Sequence, residues 1–403
     1  PMSFAKKRLW ITYNGELFNF KELRLELKGY GHKFISNSDT EVVLAAYFQW
    51  GPSCVKRFRG MFAFALADKY PPKGWPNFIL ARDRFGIKPV LYFENKSQIW
   101  FASEIGGLLA SNQLKKVVSN SALLDYLSVG SIYQPKTIFK GVKALPAGHV
   151  MEIKRNKINL VKYWDIHDET ISLRKKLKNI SFGEAKEELS LLLKDAAKYN
   201  MVSDVPVGSF LSGGIDSSAV VALASKHRPQ LKTFSVGFKG NKFLDETPYA
   251  LAVAKKFKTD HKVLKIDEKD YFTHLDQMLD YLDEPFADAS AISVFILSNY
   301  VKDYVTTVLS GDGADEIFAG YNKYRAEYFL RTRPITKNLL KLFSPFTALL
   351  PRSTDYKFSN FGRQLNRLAQ GARLSNHERY LHWCKFVDQK RCQHNRQGRG
   401  HQR

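Results

Sequence analysis

The chain has 403 residues, 44% hydrophobic and 25% charged, enough for two ordinary domains with separate cores and too balanced for a fibrous or disordered chain. No apolar run approaches the length of a membrane span, and the opening Pro1-Met2-Ser3-Phe4-Ala5-Lys6-Lys7 is not followed by the apolar core of a signal peptide, so a cytoplasmic location without membrane contact is expected. The formal net charge of +23 admits a polyanionic partner, but the basic residues spread along the whole chain instead of forming one stripe, so nucleic acid is not the expected partner. Cys54, Cys384 and Cys392 neither pair by number nor show metal spacing, which fits a reducing compartment.

In chain order, Leu9–Tyr13, Phe62–Leu66, Phe78–Ala81, Val90–Phe93 and Gln98–Ala102 are short β-branched or aromatic runs bounded by turns, and predict strands. Phe20–Lys28 and Thr40–Trp50 predict helices, the second from Val42, Val43, Ala46, Tyr47 and Trp50 at helical spacing. This mixture predicts an α+β unit. Asp39-Thr40-Glu41 reads as the N-cap and acidic first turn of the second helix. Asn14-Gly15-Glu16 follows the first predicted strand, where a glycine turn would expose an amide, an N–H and a carboxylate together. With the carboxylate of Asp39 these are the groups that recognise a free amino acid, one taking its ammonium and another its amide. A hairpin turn and an ordinary helix cap would account for either piece alone.

Tyr13-Asn14-Gly15-Glu16, Ser38-Asp39-Thr40-Glu41, Gly60-Met61-Phe62-Ala63-Phe64-Ala65, Ala81-Arg82-Asp83-Arg84-Phe85-Gly86-Ile87-Lys88-Pro89 and Phe101-Ala102-Ser103-Glu104, taken in order, resemble the glutaminase domain of glutamine-hydrolysing asparagine synthetases. The resemblance implies that Asn14, Gly15, Glu16 and Asp39 bind glutamine, in an incomplete Ntn-type sandwich. In that family the nucleophile is a cysteine at the first position of the mature chain. This sequence starts with Pro1, at a point resembling the interior of the domain, so glutaminase activity is not expected of the polypeptide as written. Cys54, in Gly51-Pro52-Ser53-Cys54, reads as a small buried thiol and not as a substitute nucleophile.

Further on, Ser119–Ile132 predicts a helix with Leu123, Leu124 and Leu127 on one face, ended by Gln134-Pro135-Lys136-Thr137. Ala144–His149 predicts a turn before a strand at Val150–Ile153, and Tyr163-Trp164-Asp165 closes the β segment, with His149 in a structural role. Ile166–Ile180, charged and without periodicity, predicts a linker. Phe182–Tyr199 then predicts an amphipathic helix with Ala185, Leu189, Leu192, Leu193 and Ala196 as its apolar face.

Val205 to Ser218 predicts a strand, a tight turn and a helix start. Gly213 and Gly214 let the backbone curl so that successive N–H groups and the positive end of the helix dipole share one concavity, a form that binds phosphate oxygens. Ser212, Ser217 and Ser218 supply hydroxyl donors, and Asp216 makes sense beside a divalent cation, so a metal-bound nucleotide phosphate is the expected ligand. Ser-Gly-Gly-x-Asp-Ser resembles the pyrophosphate loop of ATP pyrophosphatases. Strands at Lys232–Phe238, His261–Ile266 and Val305–Leu309 alternate with helices at Pro248–Phe257, Tyr271–Leu282 and Ala291–Val301, which predicts a parallel sheet covered on both faces, with ligand beyond the carboxyl ends of its strands. Ser310-Gly311-Asp312-Gly313-Ala314-Asp315-Glu316 opens a helix after such a strand; an acidic cap explains Asp315 and Glu316 but not the two glycines and Asp312. Asp216 and Asp315 are the expected Mg²⁺ ligands.

The family resemblance implies that Leu211 and Val236 lie at adenine, that Ser310 and Gly311 belong to the ATP site, that Asp312 is tied to the β-aspartyl-AMP intermediate, and that Asp283–Ser290 lines the site. It implies ATP and Mg²⁺ as cofactors and glutamine or ammonia and aspartate as partners, and it is compatible with a homodimer. The lysine that the family carries in a further helical region has no match here, and turnover without it is not assured. The expected division is a glutaminase-type unit at 1–165, a linker at 166–181, an α/β ATP pyrophosphatase unit at 182–386 and a disordered basic tail at 387–403. Rival readings are an amidotransferase acting on another carboxylate, a tRNA-modifying ATP pyrophosphatase, and a non-enzymatic remnant.

Overall fold

The computed structural model describes residues 1–95, 98–155, 157–239, 245–347, 349–350 and 357–385, with side chains from 360 onward in the last segment; the expected basic tail at 387–403 lies outside them. The first half is built on six strands, β1 (Met2–Phe4), β2 (Leu9–Leu17), β3 (Gly60–Asp68), β4 (Phe78–Arg82) and, later in the chain, β8 (His149–Lys154) and β9 (Lys157–Lys162). They form one antiparallel sheet in the order β1-β2-β3-β4-β8-β9. A second sheet, β6-β5-β7, comprises β5 (Leu91–Asn95), β6 (Gln98–Ala102) and β7 (Lys143–Ala144). The alternation along β3 explains the layers. Phe62, Phe64 and Leu66 point to one face, where they meet α1 (Phe20–Gly29) and α2 (Asp39–Trp50) through Leu23, Leu27, Val42, Val43, Ala46 and Tyr47. Ala63 and Ala65 point to the other, where small side chains let Val90, Tyr92 and Leu145 of the second-sheet layer come close. Each fully buried large side chain on this sheet contributes roughly 1.5–3 kcal/mol.

Several local expectations change here. Asn14-Gly15-Glu16 is not a turn: β2 runs through it in register with β3, from Leu9 opposite Asp68 to Leu17 opposite Gly60, because nine consecutive ladder partners outweigh the local preference of Asn-Gly. The cap of α2 is Ser38, whose hydroxyl accepts from Thr40 N, and Asp39 occupies the first turn. The helix α4 (Asn120–Val129), after α3 (Ile105–Leu109), buries Ala122 and Ser128 and leaves Leu127 44% exposed, so its packed face is not the leucine stripe. The connecting stretch contains α5 (Ile166–Lys176), capped by Asp165, with acidic residues in its first turn and Arg174, Lys175 and Lys176 in its last; dipole complementarity supports a helix that buries nothing.

The second half begins with α6 (Phe182–Asn200), closed at its start by a Ser181–Glu184 capping box. Its expected apolar face is not buried: Leu189 is 40% and Leu192 57% exposed. Then β10 (Val207–Phe210), α7 (Ile215–Ala224), β11 (Lys232–Phe238), α8 (Thr247–Phe257), β12 (Asp260–Ile266), α9 (Glu268–Tyr281), α10 (Ser290–Val301) and β13 (Thr307–Leu309) alternate. The four strands form a parallel sheet in the order β12-β11-β10-β13. Leu211, Val221, Ala250 and Ala254 seal α7 and α8 to one face, and Phe234, Leu297, Val301 and Val305 seal α10 to the other. The sheet is thus covered on both sides, as expected.

After β13 the described chain is helical: α11 (Ala314–Phe318), α12 (Asn322–Thr332), α13 (Pro334–Thr347), α14 (Lys357–Ala372) and α15 (Asn376–Cys384). A buried carboxylate ties α12 to α15. Glu327 accepts from Arg379 Nε (2.8 Å) and Nη2 (2.7 Å), from Arg331 Nε (2.7 Å) and from the Trp383 indole N–H (3.0 Å), and Arg379 is completely buried. No helix among the described residues is long and apolar enough to cross a membrane.

The Arg379 guanidinium, with Arg331 and Trp383, holds the Glu327 carboxyl down to about 2. A depressed carboxyl contributes stability above the ordinary carboxylate range and loses it as pH falls toward its folded value. Glu327→Gln should therefore destabilise the helical region by about 3 kcal/mol at pH 7, by leaving Arg379 buried without its counter-charge. Urea unfolding followed by circular dichroism should show the gap between wild type and variant narrowing from about pH 5 to pH 2.

Candidate functional site

Strands β10 and β13 are parallel neighbours, with Val207 opposite Thr307, Gly208 opposite Val308 and Ser209 opposite Leu309, so the loops that follow them leave the sheet side by side. After β10, Leu211 N donates to Phe234 O (2.8 Å) and Leu211 is buried, while Val236 lies half-buried in β11. Gly213 has φ +86°, and a Cβ there would sit 2.5 Å from Tyr249 Cβ, so the curl of this loop against α8 is open only to glycine. Helix α7 starts at once, with Gly214 at its N-cap and no side chain capping it, which leaves its first N–H groups facing outward. After β13, Gly311 packs directly on that start: a Cβ on it would lie 3.0 Å from Ser217 N and 3.2 Å from Asp216 Cβ.

The hydroxyls of this loop are arranged differently from the expectation that all three face a phosphate. Ser212 Oγ and Ser217 Oγ lie 3.0 Å apart, and Gly214 N donates to Ser212 Oγ (3.2 Å). Ser218 Oγ is shielded from solvent and has no hydrogen-bond partner among the described residues, a donor in wait for an acceptor. In the second loop Ser310 Oγ donates to Asp312 Oδ2 (2.9 Å), and Asp315 and Glu316 occupy the first turn of α11 behind Gly313, which has φ +87°. No group of three or more metal-ligating side chains occurs among the described residues. Asp216 and Asp315 offer one or two carboxylates, the donor set that suits Mg²⁺ when phosphate oxygens and water supply the rest.

A second cluster forms at the end of β2. Asp39 Oδ2 accepts from Leu17 N (2.9 Å) and Tyr13 OH (3.1 Å), which holds its carboxylate near Glu16, and Asn14 Nδ2 donates to Ser103 Oγ (3.1 Å). Burial raises the Glu16 carboxyl above its ordinary range, the charges of Asp39 and Asp204 raise it further, and Lys88 opposes them. Two carboxylates in a half-buried setting make a place that favours a cationic group. Glu16 and Asp39 are thus near enough to interact, Asn14 turns to Ser103, and Gly15 lies between Asn14 and Glu16 in the ladder opposite Phe62. Cys54 is completely buried in a 3-10 turn, Gly51–Arg57, and burial pushes its thiol up, so it remains an inert core residue. His149 is structural, its Nδ1 2.7 Å from Ala147 O.

The roles of two sets of residues escape a reading of the sequence. Asp83 is buried and its carboxylate accepts from Phe62 N, Phe85 N, Ile87 N and Lys88 N at 3.0–3.2 Å. Beside it Arg82, equally buried, donates to the carbonyls of Lys88, Gly86 and Leu145 and to Gln134 Oε1, and burial lowers its guanidinium from the ordinary value. The adjacent Arg-Asp pair thereby fixes the loop that carries Lys88. The second set is the loop at Asp283, expected to line the nucleotide site, which makes its polar contacts with the first half. Asp283 accepts from Ile105 N (2.5 Å) and Gly106 N (3.0 Å), capping α3 from outside; Glu284 accepts from Ile138 N (2.5 Å), and Ala287 N donates to Gly130 O (3.1 Å). Arg59–Asp195 (2.6 Å) and Tyr199–Glu22 (2.8 Å) add contacts from α6. No sequence signal announces these partners, which lie far apart in the chain.

The profile of the asparagine synthase family matches residues 188–402, and that of the glutamine amidotransferase domain matches residues 1–164. The chain is 36% identical over 357 residues to asparagine synthetase [glutamine-hydrolyzing] 1 of Bacillus subtilis (strain 168), an overlap of 87% of this chain and 54% of that protein. It is 38% identical over 335 residues to putative asparagine synthetase [glutamine-hydrolyzing] 2 of Methanocaldococcus jannaschii, covering 80% of this chain and 62% of that one. The chain thus spans between half and two thirds of the length of these curated relatives. Among solved structures, the glutamine phosphoribosylpyrophosphate amidotransferase of B. subtilis covers 65% of this chain and 47% of its own at a TM-score of 0.29 and 13% identity, too loose a likeness to bear on the site.

Asp283→Ala leaves the N–H groups of Ile105 and Gly106 without their acceptor, at a cost of about 1–3 kcal/mol. Hydrogen exchange should show faster exchange of the α3 amides and of 283–287, with β3 unchanged.

Proposed function

The chain belongs to the asparagine synthase family, and from that premise we propose that it activates the side-chain carboxylate of aspartate with ATP and converts it to the amide with ammonia. The single observation that carries the reading is the packing of Gly311 on the Asp216–Ser217 backbone, which sets two glycine-containing loops against one helix start at the carboxyl ends of β10 and β13. The open amides at the start of α7 are suited to the outer phosphates of ATP, for which Ser212 and Ser217 would exchange their mutual hydroxyl contact and where Ser218 Oγ would find its acceptor, with the nucleoside toward Leu211 and Val236 and with Ser310 and Gly311 closing the other wall. Asp216 and Asp315 would hold Mg²⁺, which when bound neutralises charge on the leaving pyrophosphate.

In the reaction an aspartate carboxylate oxygen attacks the α-phosphorus, the bond to the bridging oxygen of pyrophosphate breaks, and an acyl adenylate forms. Ammonia then attacks the acyl carbon, AMP leaves with the bonding electrons, and the nitrogen loses a proton. The side chains do no covalent work, so rate comes from placing reactants and balancing charge. Asp312 belongs at the acceptor end, positioned by its hydrogen bond from Ser310. Asn14, Gly15, Glu16 and Asp39 hold glutamine, with the paired carboxylates taking its ammonium. We place the glutaminase-type unit, an Ntn-type sandwich, at 1–165, a connecting segment at 166–181 and the ATP unit from 182, and read the protein as cytoplasmic and homodimeric.

AMP release measured by chromatography with ATP, Mg²⁺, ammonium and aspartate tests this. Aspartate-dependent AMP and asparagine are expected, with a loss of about two orders of magnitude in Asp216→Asn. AMP release that follows another carboxylate would reassign the acceptor, and a chain that binds no ATP would sink the reading. Gly213→Ala, with its Cβ driven against Tyr249, should abolish ATP binding in calorimetry while β2 and β3 keep their exchange protection.

A further inference from the structure

Beyond the sheet, a cavity of 590 Å³ lies among α12, α14 and α15, in the range of about 300–1,000 Å³ that small-molecule sites occupy. None of its lining residues belongs to either cluster described above. Four of them are cations, Lys323, Arg325, Arg363 and Arg367, and none is an Asp or Glu. The apolar lining comes from Phe329, Leu365, Leu368 and Trp383 among others.

Two lining side chains, Trp383 and Arg367, are held in place by hydrogen bonds. The Trp383 indole is fixed by its hydrogen bond to Glu327, and Arg367 Nη2 donates to Trp383 O (2.6 Å) at the carboxyl end of α15. The nearest carboxylate in sequence, Glu327, is already matched by Arg379 and Arg331, so it does not offset the cavity's charge. Among the described residues Arg325 has no ion pair and Arg363 bonds to Asn360 Oδ1 (2.9 Å), a neutral group; both are exposed at the rim. Lys323 lies over the rings of Tyr321 and Tyr324 and is likewise without a carboxylate partner. A second hollow of 360 Å³ shares Arg325 and Phe329 with the first, adds Arg333, and again has no acidic lining. An apolar pocket with unmatched positive charge at its mouth selects a ligand with an apolar body and an anionic end, because each part of such a molecule meets its complement.

We propose that this cavity is a binding site for a small aromatic or branched aliphatic anion, a carboxylate or a phosphate monoester, with its charge toward Arg325 and Arg363 and its apolar part against Phe329, Leu368 and Trp383. The proposal stands apart from the ligase reading and survives or fails independently of it.

Isothermal calorimetry on the full chain with 1-naphthyl phosphate, 1-naphthoate, neutral 1-naphthol and inorganic phosphate tests it. Saturable binding of at least one naphthyl anion, about tenfold or more tighter than naphthol or phosphate, is expected. The double variant Arg325→Gln/Arg363→Gln should weaken that binding about tenfold with an unchanged melting temperature, and the single reversal Arg363→Glu should weaken it as well. Equal affinity in these variants, naphthol binding as tightly as the anions, or no saturable binding would overturn the proposal. So would displacement of naphthyl phosphate by ATP combined with indifference to the arginine variants, since the ligand would then sit at the glycine loops.

Discussion

The pairing of β10 with β13 is the constraint on which the nucleotide half depends. The two strands are separated in the chain by α7, β11, α8, β12, α9 and α10, yet in the sheet they are parallel neighbours, held by backbone bonds and by Ser209 Oγ at 3.1 Å from Leu309 O. The chain moves outward from β10 to β11 and β12, then returns to the other side of β10. Connections therefore diverge between β10 and β13, and a crevice opens at that point. The glycines at 213 and 311 let backbone fill the crevice as closely as it does, and the uncapped start of α7 gives it a positive wall.

The first half relies on a different device, buried charge satisfied by backbone. Asp83 and Arg82 together take up four N–H groups, three carbonyls and a side-chain amide, and removing either would strand the other's partners in the core. Carboxylates that accept backbone N–H groups also join the halves, at less buried positions: exposed Asp283 and half-buried Glu284 accept N–H groups of α3 and of Ile138. Burial raises the Glu284 carboxyl, while Asp283 beside it stays exposed.

Much of the outline was legible because local pattern and tertiary placement agree. Lys232–Phe238 is read correctly to the residue, since Thr233, Ser235 and Gly237 alternate with Phe234, Val236 and Phe238, and the apolar set packs under α9 and α10. The cap of α9 on Asp267 starts the helix three residues before the apolar periodicity becomes visible. Where pattern and placement disagree, the reading fails. Asn-Gly-Glu has the chemistry of a turn, but the ladder with β3 decides its conformation. Ile158 and Leu160 of β9 are 41% and 46% exposed on an edge strand although Lys157 and Asn159 alternate with them, so here the alternation does not mark a buried face. The leucines of α4 and α6 have helical spacing, yet spacing states only that a face exists, not that anything covers it.

By itself, the sequence determined the order of the elements, the two glycine loops and the residue types that can grip phosphate and ammonium, because these follow from propensity, periodicity and side-chain chemistry within a dozen residues. Which loops face each other, which hydroxyls are already engaged, and which carboxylates serve as caps for distant helices were decided only in the tertiary structure. Those contacts join residues tens to hundreds of positions apart, as Asp283 joins Ile105, and their energy depends on how sheets and helices stack and on the loss of water around each group. No local window of sequence contains that information.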